Sequence, residues 1–389
     1  MDTANLVATI QKRLDQVTDP RTGNAKKHPL NTLLFCTIFG TLAGADSLKA
    51  VHLWTEAKKD WLEQFLSMPE GVPSHDTFCR VFSLLDPDEL RACFVRWTRA
   101  LARVDSDLVA LDGKTLEQSF EDGDPETALT MVSAWASKNG LTLAATAADE
   151  GDELGAMEET VELLDLENCL VTADALGCQR RLSRMIGRDG ADYLFAVKSN
   201  QGELAGQIEE FWEWALDEER PADQQLPEIE VTKEIDGGHG RVEIRKVWWC
   251  EATEMLQLDR KWPYIGGFAR VEATRQLNDG TTETETRLYV SSLTDPTAEE
   301  VASAIRSHWE VENKVHWVMD VTYREDESRI RTEHAAENMA LIRRMTTNIL
   351  REDDNRDCSL KQKRNLLSWD FDYFLEVLAD GTAADALMR

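Results

Sequence analysis

The order in which helical and strand-like patterns follow one another most constrains what this chain can fold into. Through about residue 105, apolar residues recur at spacings of three and four, which predicts helices. Leu108 begins a different pattern, in which short apolar runs are separated by turn residues such as Lys138-Asn139-Gly140. Three such runs precede a helical segment, a fourth run, a second helical segment and a fifth run. The sequence therefore predicts the order β-β-β-α-β-α-β for residues 108–200.

Two isolated acidic residues accompany the first and fourth of these strands. Asp112 lies in LVALDGKT, where the pair Asp112-Gly113 is predicted to break the strand, and Asp174 ends NCLVTADA. Three antiparallel strands followed by a helix and parallel strands is the order of the ribonuclease-H-like fold. In that fold the first and fourth strands carry acids side by side at the centre of the sheet. We therefore predict an α/β chain with a ribonuclease-H-like core in which Asp112 and Asp174 are neighbours.

A third acid lies in the helical segment IRSHWEVENKVHWVMD, residues 305–320, where helical spacing places Glu312 and His316 on one face. Three carboxylates gathered by a fold supply the oxygen ligands of a divalent-metal site for phosphoryl transfer. Other interpretations stay open, because Asp112 also fits a turn residue and Asp174 a helix N-cap. Glu312 has three acidic neighbours that compete with it, namely Asp320, Glu325 and Asp326.

A long β-rich insertion separates Asp174 from the third acid. Within about residues 201–300, a Trp- and Glu-rich helical segment precedes four alternating segments, which are typical of a mostly antiparallel sheet. Asn278-Asp279-Gly280 predicts a hairpin turn between two of these strands. Helical spacing resumes after Thr297 and predicts one helix that reaches Trp317.

The charge of the chain limits what it can bind. Lys and Arg number 43 against 72 Asp and Glu, so the net charge is −29, which opposes casual binding to nucleic acid or anionic membrane. Contacts to phosphate would have to come from local basic clusters. Those clusters are Arg21 with Lys26, Lys27 and His28; Arg241, Arg245 and Lys246; Arg343 and Arg344; and Lys361, Lys363 and Arg364.

The cysteine pattern and the N-terminal stretch indicate the compartment. The seven cysteines form no CxxC pair, which is typical of reduced, mostly buried thiols rather than a disulfide framework or a zinc site. The first residues carry charges throughout, and no apolar run of about 18 residues occurs. We expect a cytoplasmic protein that has no membrane partner.

Ten segments of the chain match a known family in order and spacing. They include ALDGKTL, LVTADALGCQ, DYLFAVKSNQ, RSHWEVENKVHWVMDV and EDESRIR. Together they resemble the bacterial insertion-sequence DDE transposases of the H-repeat-associated (ISAs-type) family, over roughly residues 15–375. Any one of these segments alone would be a weak indication, and ten in series are strong.

The resemblance implies a domain organisation and a reaction. It implies an all-helical N-terminal domain (1–105), a ribonuclease-H-like DDE catalytic domain (106–350) with its β insertion, and a C-terminal helical tail (351–389). The implied triad is Asp112, Asp174 and Glu312, holding two Mg²⁺ ions, with Mn²⁺ as a substitute. Asp112 would bridge both ions, Asp174 would bind one and Glu312 the other. The implied function is cleavage at transposon ends and strand transfer into target DNA.

The same resemblance implies partners and leaves several roles open. The partners would be double-stranded DNA at the terminal inverted repeats, target DNA and a second copy in a homodimer, with nucleoid association when DNA is bound. The residues predicted to contact DNA are Lys114, Lys198, Asn200, Gln201, Arg241, Arg245, His308 and His316. Six of them have a structural alternative: a surface cation for Lys114, strand-end capping for Lys198, Asn200 and Gln201, and helix packing beside Trp309 and Trp317 for the two histidines. His239 is predicted to be a turn residue.

Three departures from the family pattern lie near the predicted sheet. Glu117 replaces a usual basic residue, Thr130 a usual His, and DEGDELGAMEE (149–159) a usual Lys-Ser-Asn-Glu segment. Added carboxylates should weaken the binding of a phosphate backbone. Two other functions therefore stay open, a stand-alone ribonuclease-H-like nuclease and a catalytically weakened or domesticated DNA-binding descendant.

Overall fold

The computed structural model of the protein describes most of the chain. The described residues are 14–23, 26–64, 66–101, 106–120, 124–221, 225–238, 241–251, 262–276 and 281–379. They form two compact units. The first comprises residues 1–103, 113–164 and 312–389, and the second comprises 104–112 and 165–311.

The helices and strands follow one another in an order close to the predicted one. The helices are α1 Leu30–Leu42, α2 Leu48–Ala57, α3 Lys59–Leu62, α4 His75–Leu84, α5 Pro87–Leu101, α6 Glu153–Glu162, α7 Arg180–Arg188, α8 Gly202–Ala215, α9 Ala298–His308, α10 Trp317–Tyr323, α11 Ala335–Glu352, α12 Leu360–Trp369 and α13 Phe371–Ala379. The strands are β1 Leu108–Thr115, β2 Thr130–Ala136, β3 Leu141–Ala147, β4 Leu170–Ala173, β5 Asp192–Val197, β6 Ile229–Gly238, β7 Arg241–Cys250, β8 Gly267–Gln276 and β9 Thr282–Ser291. From β1 to β5 the order β-β-β-α-β-α-β is as predicted.

Two predicted boundaries were wrong. β1 does not break at Asp112-Gly113 but continues to Thr115. The single helix predicted after Thr297 is divided, because α9 ends at His308 and a π-helical turn, Glu312–His316, precedes α10. A π-helical turn carries one extra residue and occurs often at functional sites, and periodicity alone does not reveal it.

In the first unit, the N-terminal helices share one hydrophobic core with the C-terminal helices. Phe39 of α1, Phe82 of α4, Leu341 of α11 and Phe374 of α13 all lie in this core and are at most 1% exposed. The Phe39 and Phe374 rings meet edge to face, with 5.7 Å between their centroids. Aromatic burial of this kind contributes strongly to core stability. The helices at the two ends of the chain are therefore held together by apolar packing.

A buried ion cluster lies in the same unit. The Glu325 carboxylate is 0% exposed, and its Oε1 accepts hydrogen bonds from Arg343 Nη1 at 3.2 Å and Arg344 Nη1 at 3.4 Å. Arg343 also donates to Ser328 Oγ at 3.0 Å, and Arg344 Nε donates to Ser133 Oγ at 3.1 Å. The cluster joins α11 to β2 and to the turn that holds EDESRIR.

The unit also contains the antiparallel pair of β2 and β3. Gly140 lies in the turn between them with φ 68°, a left-handed conformation that glycine adopts without strain. The turn predicted at Lys138-Asn139-Gly140 is thus confirmed.

The second unit is built on a mixed sheet. Its strands run in the order β1-β4-β5-β9-β8-β7-β6, with β1, β4 and β5 parallel and the remaining neighbours antiparallel. α8 packs Phe211 and Trp212 against Phe268 of β8, with ring centroids 4.8 and 5.5 Å apart. The antiparallel insertion is as predicted, while the turn Asn278-Asp279-Gly280 lies outside the described residues.

The cysteines and the helices can be compared with the predictions of reduced thiols and of no membrane span. None of the seven cysteines, all of which lie in the described ranges, forms a disulfide bond, and five of them are buried. Within the described ranges, no helix is long and apolar enough to cross a membrane.

The buried cluster generates the first prediction. Glu325→Gln should destabilise the protein by about 3–5 kcal/mol, because it leaves the charges of Arg343 and Arg344 buried without a counter-charge. Urea unfolding followed by circular dichroism measures this loss. Glu327→Gln is the matched control, because Glu327 pairs with Arg324 in water and its loss should change little. A similar small effect for both variants would contradict the structural role of Glu325.

Candidate active site

Asp112 lies within β1, and Asp174 directly follows the parallel strand β4 in the second unit. The register of β1 and β4 pairs Leu108 with Leu170 and ends with Leu111 opposite Ala173. Asp112 directly follows Leu111, and Asp174 directly follows Ala173. Adjacent strands lie about 4.8 Å apart, so the two half-buried acids are close neighbours.

The Asp174 side chain also shapes the loop that follows β4. Its Oδ1 accepts hydrogen bonds from the backbone N–H of Leu176 at 2.9 Å and of Gly177 at 3.3 Å. α7 begins only at Arg180 and has Gln179 at its N-cap. The helix N-cap interpretation of Asp174 is therefore wrong, and the residue instead caps a turn with one of its two carboxylate oxygens.

Gly113 lies beside the end of the Glu153 side chain. In the first unit, a Cβ atom at position 113 would lie 2.0 Å from Oε1 of Glu153. A larger residue would displace the carboxylate end of this flexible side chain. Because β1 continues to Thr115, the alternative of a turn at Asp112 is wrong.

Glu312 and His316 are hydrogen-bonded within the π-helical turn of the first unit. His316 Nδ1 lies 3.2 Å from Glu312 Oε2, and the side chains are 9% and 54% exposed, respectively. Burial lowers the pKa of His316, and the Glu312 carboxylate only partly opposes this effect. A neutral imidazole that donates Nδ1–H to the carboxylate fits both observations. The histidine thereby fixes the direction of the Glu312 side chain.

The acids that compete with Glu312 are all engaged by cations. Glu325 is held by Arg343 and Arg344, as described above. Lys114 Nζ lies 2.8 Å from Asp320 Oδ1 and 3.0 Å from Asp326 Oδ1. Glu312 is bonded instead to a histidine. Among these four acids, Glu312 is thus the one whose described partner is not a lysine or an arginine.

Lys114 is buried, so its interpretation as a surface cation was wrong. Its side chain is 8% exposed, and although burial alone would lower its pKa, the carboxylates of Asp320 and Asp326 raise it. Burial in turn raises the pKa of Asp320 to about 6, against the lowering effect of Lys114. The ammonium group of Lys114 is thus fixed between two carboxylates.

Residues after β5 contact the loop that follows Asp174. Asn200 Nδ2 donates to the Ala175 carbonyl at 2.6 Å, and Gln201 Nε2 donates to Gln179 Oε1 at 3.1 Å. These bonds support the strand-end interpretation of Asn200 and Gln201. Lys198 precedes them and is exposed.

The other predicted DNA contacts are dispersed in the second unit. His308 Nδ1 lies 3.0 Å from Thr172 Oγ1 on β4, two residues before Asp174. Arg245 is bonded to Glu243, with 2.9 Å between Nη2 and Oε1. The side chain of Arg241 and all of His239 lie outside the described residues. Thr172 was not predicted from the sequence, because a threonine inside an apolar strand gives no functional signal.

Most of the basic clusters proposed from the sequence prove to be structural. Besides Arg343 and Arg344, Arg21 pairs with Asp19 at 2.9 Å, and Arg364 Nε donates to the Thr41 carbonyl at 2.9 Å. Lys363 Nζ lies 3.3 Å from Asp353 Oδ2. Phosphate contacts from these side chains were the wrong expectation, because long cationic side chains of this acidic chain bind its own carboxylates and carbonyls.

The departures from the family pattern have local explanations. Thr130 Oγ1 lies 2.8 Å from Thr115 Oγ1, and Glu117 is exposed. Asp152 is the N-cap of α6 and accepts from the Gly155 N–H at 2.9 Å, with Glu153 in the first turn. Acids at a helix N-terminus stabilise the helix. The acidic segment therefore has a structural function in starting α6.

Comparison with known proteins identifies the family. Residues 104–349 match the family described as "Transposase DDE domain", and residues 11–98 match the one described as "DDE_Tnp_1-associated". The chain therefore belongs to the family of transposases with a DDE domain, which confirms the resemblance found in the sequence.

Several relatives match over most of their length. The "H repeat-associated putative transposase YhhI" of Escherichia coli is 34% identical over 359 residues, which cover 91% of this chain and 93% of the relative. The "Putative protein YbfL" of Escherichia coli is 33% identical over 376 residues, with 95% and 97% covered. The "Uncharacterized protein in dhlA 3'region" of Xanthobacter autotrophicus is 35% identical over 286 residues, with 72% and 93% covered.

The raised pKa of the half-buried Asp320 leads to the second prediction. Its raised pKa means that the folded chain holds this proton more tightly than the unfolded chain, whose Asp pKa is about 4. The stability contributed by this group is therefore present below about pH 4 and is lost as pH rises through about 6. The free energy of unfolding of Asp320→Asn should rise relative to wild type from about pH 4 to 7. Urea unfolding across this range measures the difference, and a constant difference would contradict the prediction.

Proposed function

We propose that this chain is a DNA transposase whose acidic triad is Asp112, Asp174 and Glu312. The observation that carries the proposal is the register of β1 and β4, which places Asp112 beside Asp174, in a chain that belongs to the DDE transposase family. In this proposal, the segment from β1 to β5 is a ribonuclease-H-like core. The β-rich insertion follows this segment and precedes Glu312. The helical segment 1–105 and the tail 351–389 complete the domain organisation.

The chemistry of the donors fits a pair of hard divalent cations. Mg²⁺ prefers carboxylate oxygens, and Mn²⁺ accepts the same ligands. Asp112, Asp174 and Glu312 would hold these ions, and Asp174 would do so with the oxygen that the turn leaves available. When bound, such ions polarise a phosphoryl oxygen and stabilise charge on the attacking and leaving oxygens.

The chain's own residues would position these ligands. His316 orients Glu312 through its Nδ1 hydrogen bond, and the turn N–H groups of Leu176 and Gly177 fix the rotamer of Asp174. Lys114 keeps Asp320 and Asp326 occupied, so these two acids are less available as ligands. Preorganised ligands of this kind do not have to be reoriented when the substrate binds.

The proposed reaction consists of two in-line displacements at phosphorus. Water first hydrolyses a phosphodiester bond at the transposon end and releases a 3′-hydroxyl group. That hydroxyl group then attacks the phosphorus of a phosphodiester bond in target DNA. A new bond joins the transposon 3′-oxygen to this phosphorus, and the bond to the target 3′-oxygen breaks, which releases a target 3′-hydroxyl group. The DNA partners would be the terminal inverted repeats and the target, and a homodimer would bring two ends together. The residues predicted to contact DNA stay proposed contacts, namely Lys114, Lys198, Asn200, Gln201, Arg241, Arg245, His308 and His316.

A second candidate is a DNA-binding descendant with weakened catalysis. The net charge of −29 is the observation that favours it, because an acidic surface opposes DNA binding. The acid-rich segment 149–159 gives it less support, because Asp152 caps α6 and Glu159 pairs with Arg91 within the first unit. Specific binding to inverted repeats without cleavage in Mg²⁺ or Mn²⁺ would select this second candidate.

The triad generates the third prediction. Asp112→Asn and Asp174→Asn should each lower Mg²⁺-dependent cleavage of transposon-end DNA by about a thousandfold or more, because the amide loses the charge that a cation requires. Asn at position 174 can still accept the two turn hydrogen bonds, so the fold should persist. Gel analysis of cleavage products measures the rate.

Asp165→Asn is the control for this prediction, because Asp165 is an exposed acid in the same unit and makes no described hydrogen bond or ion pair. Its variant should cleave like wild type, and all variants should have matching circular dichroism spectra. Retained cleavage by Asp112→Asn would reject the assignment.

A transposase and a stand-alone nuclease would differ in their reaction products. This difference gives the fourth prediction. A transposase should join the 3′ ends of the element to target DNA, whereas a stand-alone nuclease should cut without preference for the ends. Incubation of the protein with inverted-repeat and scrambled duplexes, together with a plasmid target, measures both properties. Equal cutting of the two duplexes without joined products would reject the transposase.

A further inference from the structure

A cavity of about 550 Å³ opens within the first unit, and none of the residues assigned to the acidic triad lines it. It is lined by the start of α2, by α4 and by the segment 324–335, which holds the EDESRIR sequence. That sequence resembles a family segment, yet the proposed triad gives its two arginines no function. The cavity is large enough for a phosphate group with its neighbouring sugars.

Three cations that line the cavity have no described carboxylate partner. Lys49 and Arg329 are exposed, and neither forms a hydrogen bond or ion pair among the described residues. Arg331 Nε donates to the Gln118 carbonyl at 2.7 Å, and its guanidinium lies 4.2 Å from the centroid of the Phe120 ring. These contacts fix the position of Arg331, and neither the carbonyl nor the ring carries a negative charge that would neutralise its guanidinium group.

The acids of the cavity are already neutralised. Asp46 pairs with Arg364 at 2.6 Å, and Glu327 pairs with Arg324. Several buried cations of this unit are paired instead, because Lys114, Arg343 and Lys363 each face a carboxylate. In a chain of net charge −29, three cations without a described counter-charge around one cavity make a local positive field.

The beginning of α2 adds to this field. Ser47 and Leu48 line the cavity, and Ser47 Oγ caps the helix by accepting from the Ala50 N–H at 3.2 Å. α2 has 10 residues, so the partial positive charge of its N-terminus points toward an anion in the cavity. The N-terminus of α2 therefore adds to the positive field of the three side chains.

We propose that this cavity binds a backbone phosphate of DNA through Lys49, Arg329 and Arg331. A polyanion suits the site better than an acidic peptide, because planar guanidinium groups recognise phosphate bidentately and the cavity also admits the adjoining sugars. The proposal rests on the proposed function in that DNA is the polyanion on which the acidic triad would act. It provides a contact that holds DNA on a chain whose overall charge repels it.

The test measures DNA binding by the full-length protein without catalysis. A labelled duplex is titrated in EDTA at salt concentrations from about 50 to 200 mM, where each phosphate contact contributes about 0.9 to the slope of log affinity against log salt. Lys49→Gln and Arg329→Gln should each weaken binding about threefold to tenfold and lower that slope by about one. The effect should be the same for inverted-repeat and unrelated duplexes.

Matched variants make the result specific. Arg96→Gln removes an exposed cation of α5 that makes no described ion pair and does not line the cavity, so its affinity should equal that of wild type. Arg329→Lys should restore part of the affinity, because it restores the charge without the planar fork. Thermal unfolding confirms that all four variants are folded.

Each outcome decides the proposal. Wild-type affinity and salt slope in Lys49→Gln and Arg329→Gln would overturn it, as would a loss of equal size in Arg96→Gln or the absence of DNA binding by wild type. If inorganic phosphate binds wild type and the variants lose only this binding while keeping DNA affinity, the cavity is a small-anion site and the DNA assignment is overturned. A wild-type protein that binds DNA but does not cut it in Mg²⁺ would refute the proposed function alone.

Discussion

The parallel pairing of β1 with β4 is the constraint on which the proposed active site depends. Register in a β-ladder moves in whole residues, and a shift of one would turn the side chain to the other face of the sheet. With Leu111 opposite Ala173, the two acids that follow must be neighbours. Like charges at this distance repel each other, so two adjacent carboxylates cost stability unless cations or hydrogen bonds offset the repulsion. A pair of divalent cations is the proposed compensation.

The distribution of charge is the second organising feature. An acidic chain has carboxylates to spare, and many of its cations are bound by them in the interior, as in the pairs of Glu325 with Arg343 and Arg344. Buried pairs of this kind contribute specificity more than net stability, and they remove cations from the surface. The three cations that line the cavity beside α2 have no described carboxylate partner, and they are the ones that we assign to DNA.

The sequence predicts features that depend on local pattern. Apolar runs and turn residues give the strand order, and Asp112 and Asp174 are predicted from their places at the ends of apolar runs. Features that depend on distant partners are not predictable in this way. Nothing near Lys114 in the sequence shows that Asp320 and Asp326, over 200 residues away, bury its ammonium group. The same holds for Thr172 and His308, and for the π-helical turn of Glu312, whose extra residue leaves no mark on the apolar spacing.

The central claim is that Asp112, Asp174 and Glu312 bind the same pair of divalent cations. Anomalous X-ray diffraction from crystals grown with Mn²⁺ tests it most directly, because the metal is then located independently of its ligands. The account predicts anomalous peaks within about 2 Å of carboxylate oxygens of all three acids. Peaks bound instead by Asp320 and Asp326, or three acids without a common peak at saturating Mn²⁺, would contradict it.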